Sequence, residues 1–143
     1  MASFLNRRSL MLVACIVASL AGCAGTGGSG TLQVTLSGAN EVPPVNTAAT
    51  GFASFTIGED RSVAGSVTTS GVIGTAAHIH EGAPGKNGPV IVPLEKSSDN
   101  TWAIKPGAKL NDAQFEAFKA GNLYVNVHSA ANKGGEIRGQ LKP

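Results

Sequence analysis

From residue 31 onward, short runs in which every second residue is apolar recur along this chain, interrupted by Gly, Pro or Asn. A period of two sends successive side chains to opposite sides of a strand, so each run has one face to bury and one to show to water. Leu32, Val34 and Leu36 share a face in Thr31–Leu36, as do Ala53, Phe55 and Ile57 in Gly51–Ile57. Gly58-Glu59-Asp60-Arg61 then turns the chain, and Val63, Gly65 and Val67 alternate back in a hairpin pattern. Further strands are expected at Thr75–Glu81, at Val90–Leu94 behind the tight-turn signal Asn87-Gly88, and around Trp102 and Ile104. Leu123–Ser129 and Gly135–Leu141 complete the series. Seven or eight such strands in one chain predict a mainly β fold: an antiparallel Greek-key β-sandwich, immunoglobulin-like or related, with one short helix.

The helix is marked by its ends. Asn111 is placed to cap it, Gln114 stands three positions on as a capping box requires, and Leu110 can staple against Phe115. Phe115 and Phe118 share a face that must dock on the sheets, and Gly121 is placed to end the helix. Composition excludes the alternatives. Charged residues are 14% of the chain, too few for a coiled coil or a disordered charged tail. Gly and Pro together number 26 of 143, below the ~25–30% that signals disorder.

Residues 1–22 read as a signal peptide. Arg7 and Arg8 precede the apolar run Leu10–Leu20. Eleven residues make only ~16 Å of helix, about half a bilayer core, which suits a cleaved leader and not an anchor. The run ends in Leu20-Ala21-Gly22-Cys23, which resembles the bacterial lipobox, and Cys23 is the expected lipidation site. Acyl chains there would hold the protein on a membrane. No aspartate follows Cys23, so the outer membrane of a two-membrane cell is the expected location, facing the periplasm or the surface. Residues 23–30 would be a flexible tether of roughly 15 Å, and residues 31–141 the folded domain. The processed chain carries nine Lys+Arg against nine Asp+Glu and no basic run, so nucleic acid is not an expected partner. With Cys23 acylated, no thiol remains for a disulfide, a zinc-thiolate site or a cysteine nucleophile.

Three histidines carry the candidate chemistry. His78 and His80 are two apart on one expected strand, so both leave the same face, while Ala77 and Ile79 take the other. His128 alternates against Val125 and Val127 and shares a side with Tyr124 and Asn126. If the apolar residues mark the core, all three imidazoles point away from it and meet when the two strands pair in register. Such a set would chelate Cu(II), or with lower affinity Zn(II), and Cu(II) leads in the Irving–Williams order. Glu81, Glu136 and Arg138 are the candidates for the surrounding shell. Strand histidines that merely bond to their neighbours would show the same pattern, and the sequence leaves both readings open. Other chemistry has less support: Ser129 beside His128 faces the other way and lies in no Gly-x-Ser-x-Gly elbow. Glu41, Glu81 and Glu136 are scattered, and Gly134-Gly135 lacks a strand-to-helix setting.

Three segments together resemble a known family: Leu36-Ser37-Gly38-Ala39-Asn40-Glu41-Val42-Pro43-Pro44; Ala76-Ala77-His78-Ile79-His80 running on to Gly88-Pro89-Val90; and Ala120–His128 with Gly134–Leu141. They look like the CHRD domain, named from the extracellular protein chordin, over Thr31–Leu141. The resemblance implies an extracytoplasmic β-sandwich and no settled activity. The His-x-His on an outer face is also similar to the copper site of Cu/Zn superoxide dismutase, but this chain has too few histidines for two metals and no second half of a disulfide. The expectation is a non-enzymatic envelope lipoprotein that binds a transition metal, Cu(II) favoured, through His78, His80 and His128. The alternative is an adhesion or scaffold module that presents Asn40–Asn46 and His80–Gly88 to a protein or polysaccharide.

Overall fold

Eight strands and one helix form from the runs that the alternation marks. The computed structural model describes residues 30–143, so the expected leader, Cys23 and nearly all of the expected tether lie outside the described residues. The strands are β1 (Thr31–Ser37), β2 (Thr50–Ile57), β3 (Val63–Ser70), β4 (Gly74–Glu81), β5 (Val90–Ser98), β6 (Thr101–Ile104), β7 (Leu123–Ser129) and β8 (Ile137–Leu141). Helix α1 (Asp112–Lys119) lies between β6 and β7. Its capping box is complete: the Gln114 amide donates to Asn111 Oδ1 at 2.8 Å, and the Asn111 amide donates to Gln114 Oε1 at 2.9 Å. Among the described residues no helix is long and apolar enough to cross a membrane.

The strands do not form a sandwich. They close into one antiparallel barrel in the order β1-β2-β3-β6-β5-β4-β7-β8, with β8 returning to β1. Alternation distinguishes inside from outside, and a sandwich and a barrel bury an inward face equally well. The choice between them lies in edge pairings between distant segments: β3 with β6 through Val67↔Trp102, and β1 with β8 through Ser37↔Arg138. Gly139 makes the second approach possible, because a Cβ there would overlap Val34 Cγ1 and come within 2.9 Å of the Thr35 carbonyl oxygen. Closure leaves no long free edge to pair with another chain.

The barrel interior is the core. Leu36, Phe55, Val67, Val125, Val127 and Ile137 are fully buried, as their parity predicts. Each such side chain contributes about 1.5–3 kcal/mol by leaving water. Beyond shifts of one or two residues, such as β8 starting at Ile137 and not at Gly135, two places depart from expectation. β5 runs on to Ser98 because its outer half pairs with β6. The Asn87-Gly88 signal marks no two-residue turn: the β4–β5 connection takes up residues 82–89 and folds back over the outside of the barrel.

Candidate metal centre

The histidines sit on the outer face of β4 and β7, opposite the core. Antiparallel pairing puts His78 across from Asn126, His80 across from Tyr124 and Ala76 across from His128. On the far side of β7, Asn126 faces Arg138 and Tyr124 faces Gln140. The outward residues of three neighbouring strands therefore form one polar patch. It is not left to solvent: His80 is 7% exposed, Asn126 1%, Arg138 2% and Glu41 5%. Two connections cover it. Asn87 Nδ2 donates to the Val42 carbonyl at 2.7 Å, and Asn40 Nδ2 to the Arg138 carbonyl at 3.1 Å.

The three imidazoles converge. Their ring centroids lie 4.9 Å (His78–His128), 5.6 Å (His78–His80) and 6.0 Å (His80–His128) apart. One ring nitrogen from each falls within 4.8 Å of the others. Metal–nitrogen bonds of about 2.0–2.1 Å place ligand nitrogens roughly 3–3.5 Å apart, so a single ion would draw the set inward by about 1 Å. His78 Nδ1 and His128 Nε2 are already 3.0 Å apart.

Backbone carbonyls set the tautomers. His80 Nδ1 lies 2.9 Å from the Gly88 carbonyl and His128 Nδ1 lies 2.8 Å from that of Lys133. A carbonyl only accepts, so each Nδ1 carries the proton and each Nε2 is left unprotonated, that of His128 as an acceptor facing His78 Nδ1. His80 Nε2 is buried without a protein partner. Burial, followed by the charges of His128 and His80, holds His78 below the usual imidazole range. Burial does the same for His80, opposed by its bond to the Gly88 carbonyl and by the nearby Asn126 amide and reinforced by the charges of His128 and Arg138. Both effects favour the neutral, coordinating form.

The surrounding residues sort differently from expectation. Glu81 ends β4 opposite Leu123, and its side chain makes no hydrogen bond to the histidines among the described residues. The Glu136 carboxylate faces away from the rings, accepting from Ser129 Oγ (2.5 Å), Thr47 Oγ1 (2.7 Å) and Asn132 Nδ2 (2.8 Å). Those bonds, Ser129 first, hold its pKa low, and they brace the turn whose Lys133 carbonyl meets His128. Arg138 stacks its guanidinium carbon 3.4 Å from the Tyr124 ring centroid, and His80 stacks on that ring from β4 at 4.8 Å and 5°. The guanidinium also donates to the Lys86 carbonyl (2.8 Å) and Asn87 Oδ1 (3.2 Å), so it anchors the connection that carries Gly88.

Two participants escaped sequence reasoning. Asn126 lies amid the three histidines with its Oδ1 unpartnered, and its shared parity with His128 was the available signal. Glu41 comes from the β1–β2 connection, and no local pattern marks it. Burial raises its pKa to about 7 against the opposing pull of Arg138, Asn126 and the Val42 backbone.

No curated protein and no solved structure matches the chain. The sequence model described as the CHRD domain matches residues 32–141. That span holds the barrel, the three histidines and both connections that cover them, and on this match the chain belongs to the CHRD domain family.

Proposed function

We propose that this protein is a non-enzymatic envelope lipoprotein whose barrel holds one transition-metal ion, Cu(II) before Zn(II), through His78, His80 and His128. The observation that carries this reading is the pair of committed Nδ1 protons. Both rings therefore leave Nε2 unprotonated: that of His80 is buried without a partner, that of His128 lies 3.0 Å from His78 Nδ1, and one nitrogen of each ring falls within 4.8 Å of the others. Strand histidines serving only as hydrogen-bonding residues have no need of a buried, unpartnered Nε2. The donor set is all imidazole, and Cu(II) leads such a set on intrinsic affinity. Lipid on Cys23 would keep the site at the membrane, and its use there would be to sequester or buffer metal. Adhesion through Asn40–Asn46 and His80–Gly88 has less support, because these segments bury Glu41 and His80 and tie themselves to each other.

Calorimetric titration with Cu(II) and Zn(II), beside a His78→Ala/His80→Ala/His128→Ala variant, tests the reading. One-to-one, sub-micromolar binding that the variant loses is expected. Equal heats from the two proteins would refute it.

A further inference from the structure

The opposite side of the barrel has a different chemistry. β2 and β3 stand four places round the closed sheet from β4 and β7. Together β1, β2, β3 and β6 turn fourteen side chains outward, four from each of the first three strands and two from β6. Ten of the fourteen are Ser or Thr, and none is charged. An ordinary soluble surface, about 25–35% charged, would put roughly four charges on an area of this size. The first charge at its β6 border is Glu95 on β5, opposite Ala103 and paired with Lys105 at 3.8 Å. In the middle stands Phe52, 48% exposed, with Thr35 and Thr68 directly across from it on the two neighbouring strands. Beside the ring is a shallow depression of about 320 Å³, which Thr50, Thr69 and Ser70 also line.

We propose that this face binds an extended, neutral β-linked glucan, with Phe52 as the stacking platform. A pyranose offers an apolar C–H face that fits an exposed aromatic ring. Its rim of hydroxyls both donates and accepts, as Ser and Thr hydroxyls do. The absence of charge matches an uncharged ligand. An anionic polymer or lipid surface would call for cations that the face lacks. A protein partner would call for several aromatic, Met or Arg anchors where this face has one Phe, and protein interfaces are poor in Ser. Three strands of seven or eight residues, ~4.8 Å apart and flanked by the four-residue β6, present a field of roughly 15 by 25 Å that narrows at the β6 side, room for several rings of a ribbon-like chain. The inference is independent of any metal at the histidines.

Titration of the isotope-labelled protein with cellohexaose and laminarihexaose, read by amide chemical shifts, tests it. Oligogalacturonate serves as the charged counter-probe. Saturable shifts centred on Thr35, Phe52 and Thr68 are expected with a neutral glucan, at least tenfold weaker in Phe52→Ala and in Thr68→Lys. Both substitutions are at exposed positions, and the dispersion of each spectrum checks folding. Three results would each overturn the proposal: no saturable shift with either glucan, equal binding of oligogalacturonate, or shifts that survive both substitutions. Line broadening that grows with protein concentration without sugar, and that Thr68→Lys relieves, would assign the face to a second copy of the chain instead.

Discussion

Glu41 is the residue whose ionisation sets it apart from its surroundings. It is 5% exposed, its Oε1 has no partner, and burial lifts its pKa from 4.5 to about 7. The folded protein therefore keeps the Glu41 proton up to about pH 7, while the unfolded chain releases it near 4.5. Stability from this group falls as pH rises through that window and is level above it, a change of roughly 3 kcal/mol. His78 and His80 act in the opposite sense. Their pKa values lie below 6.5 when folded, so acidification through that value protonates the unfolded chain first and costs stability. The two trends overlap, and Glu41→Gln separates them. Urea unfolding of both proteins from pH 4.5 to 8 is expected to show the variant gaining on the wild type as pH rises to about 7. Parallel curves would mean that Glu41 titrates normally.

Among the elements, the β4–β5 connection decides the state of the site. Arg138, Tyr124 and His80 all bond to it, through Lys86, Asn87 and Gly88. Gly88 is required for space: a Cβ there would overlap the Glu81 carbonyl oxygen at the end of β4. Gly88→Ala must push the connection outward and take its carbonyl from His80 Nδ1. The expected cost is about 1–3 kcal/mol of stability and a ~10–100-fold loss in Cu(II) affinity, as for other partners that orient a ligand. Gly134→Ala is the matched control in the other turn, because a Cβ there meets nothing within 4 Å. Its melting temperature and titration curve are expected to match the wild type.

For the whole molecule, the defining feature is the seam between β1 and β8. Only Ser37↔Arg138 is in register there, and Gly139 lets the strands close beside it. Gly139→Ala puts a methyl group against Val34 Cγ1 and the Thr35 carbonyl, so part of the barrel must open. Overpacking of this kind costs about 1–3 kcal/mol. For a domain of this size that lowers the melting temperature by several degrees per kcal/mol, measurable by calorimetry. An unchanged melting temperature would show that the seam absorbs the methyl group and does not limit stability.

Local chemistry was legible in the sequence. Parity alone assigned Leu36, Phe55, Ile79 and Val127 to the core and the three histidines to the outside, because strand geometry alternates sides whatever the strand pairs with. Asn111 and Gln114 announced the helix cap for the same reason, since a capping box is complete within four residues. Pairing and coverage could not be read this way. Whether β3 finds β6 and β8 finds β1, and so whether the sheet splits or closes, depends on edges far apart in the chain. The same holds for the burial of Glu41, the stacking of Arg138 and His80 on Tyr124, and the turning of Glu136 toward Thr47. A strand's alternation fixes which way a side chain points, but only the folded neighbours supply its dielectric, its hydrogen-bond partners and its proton.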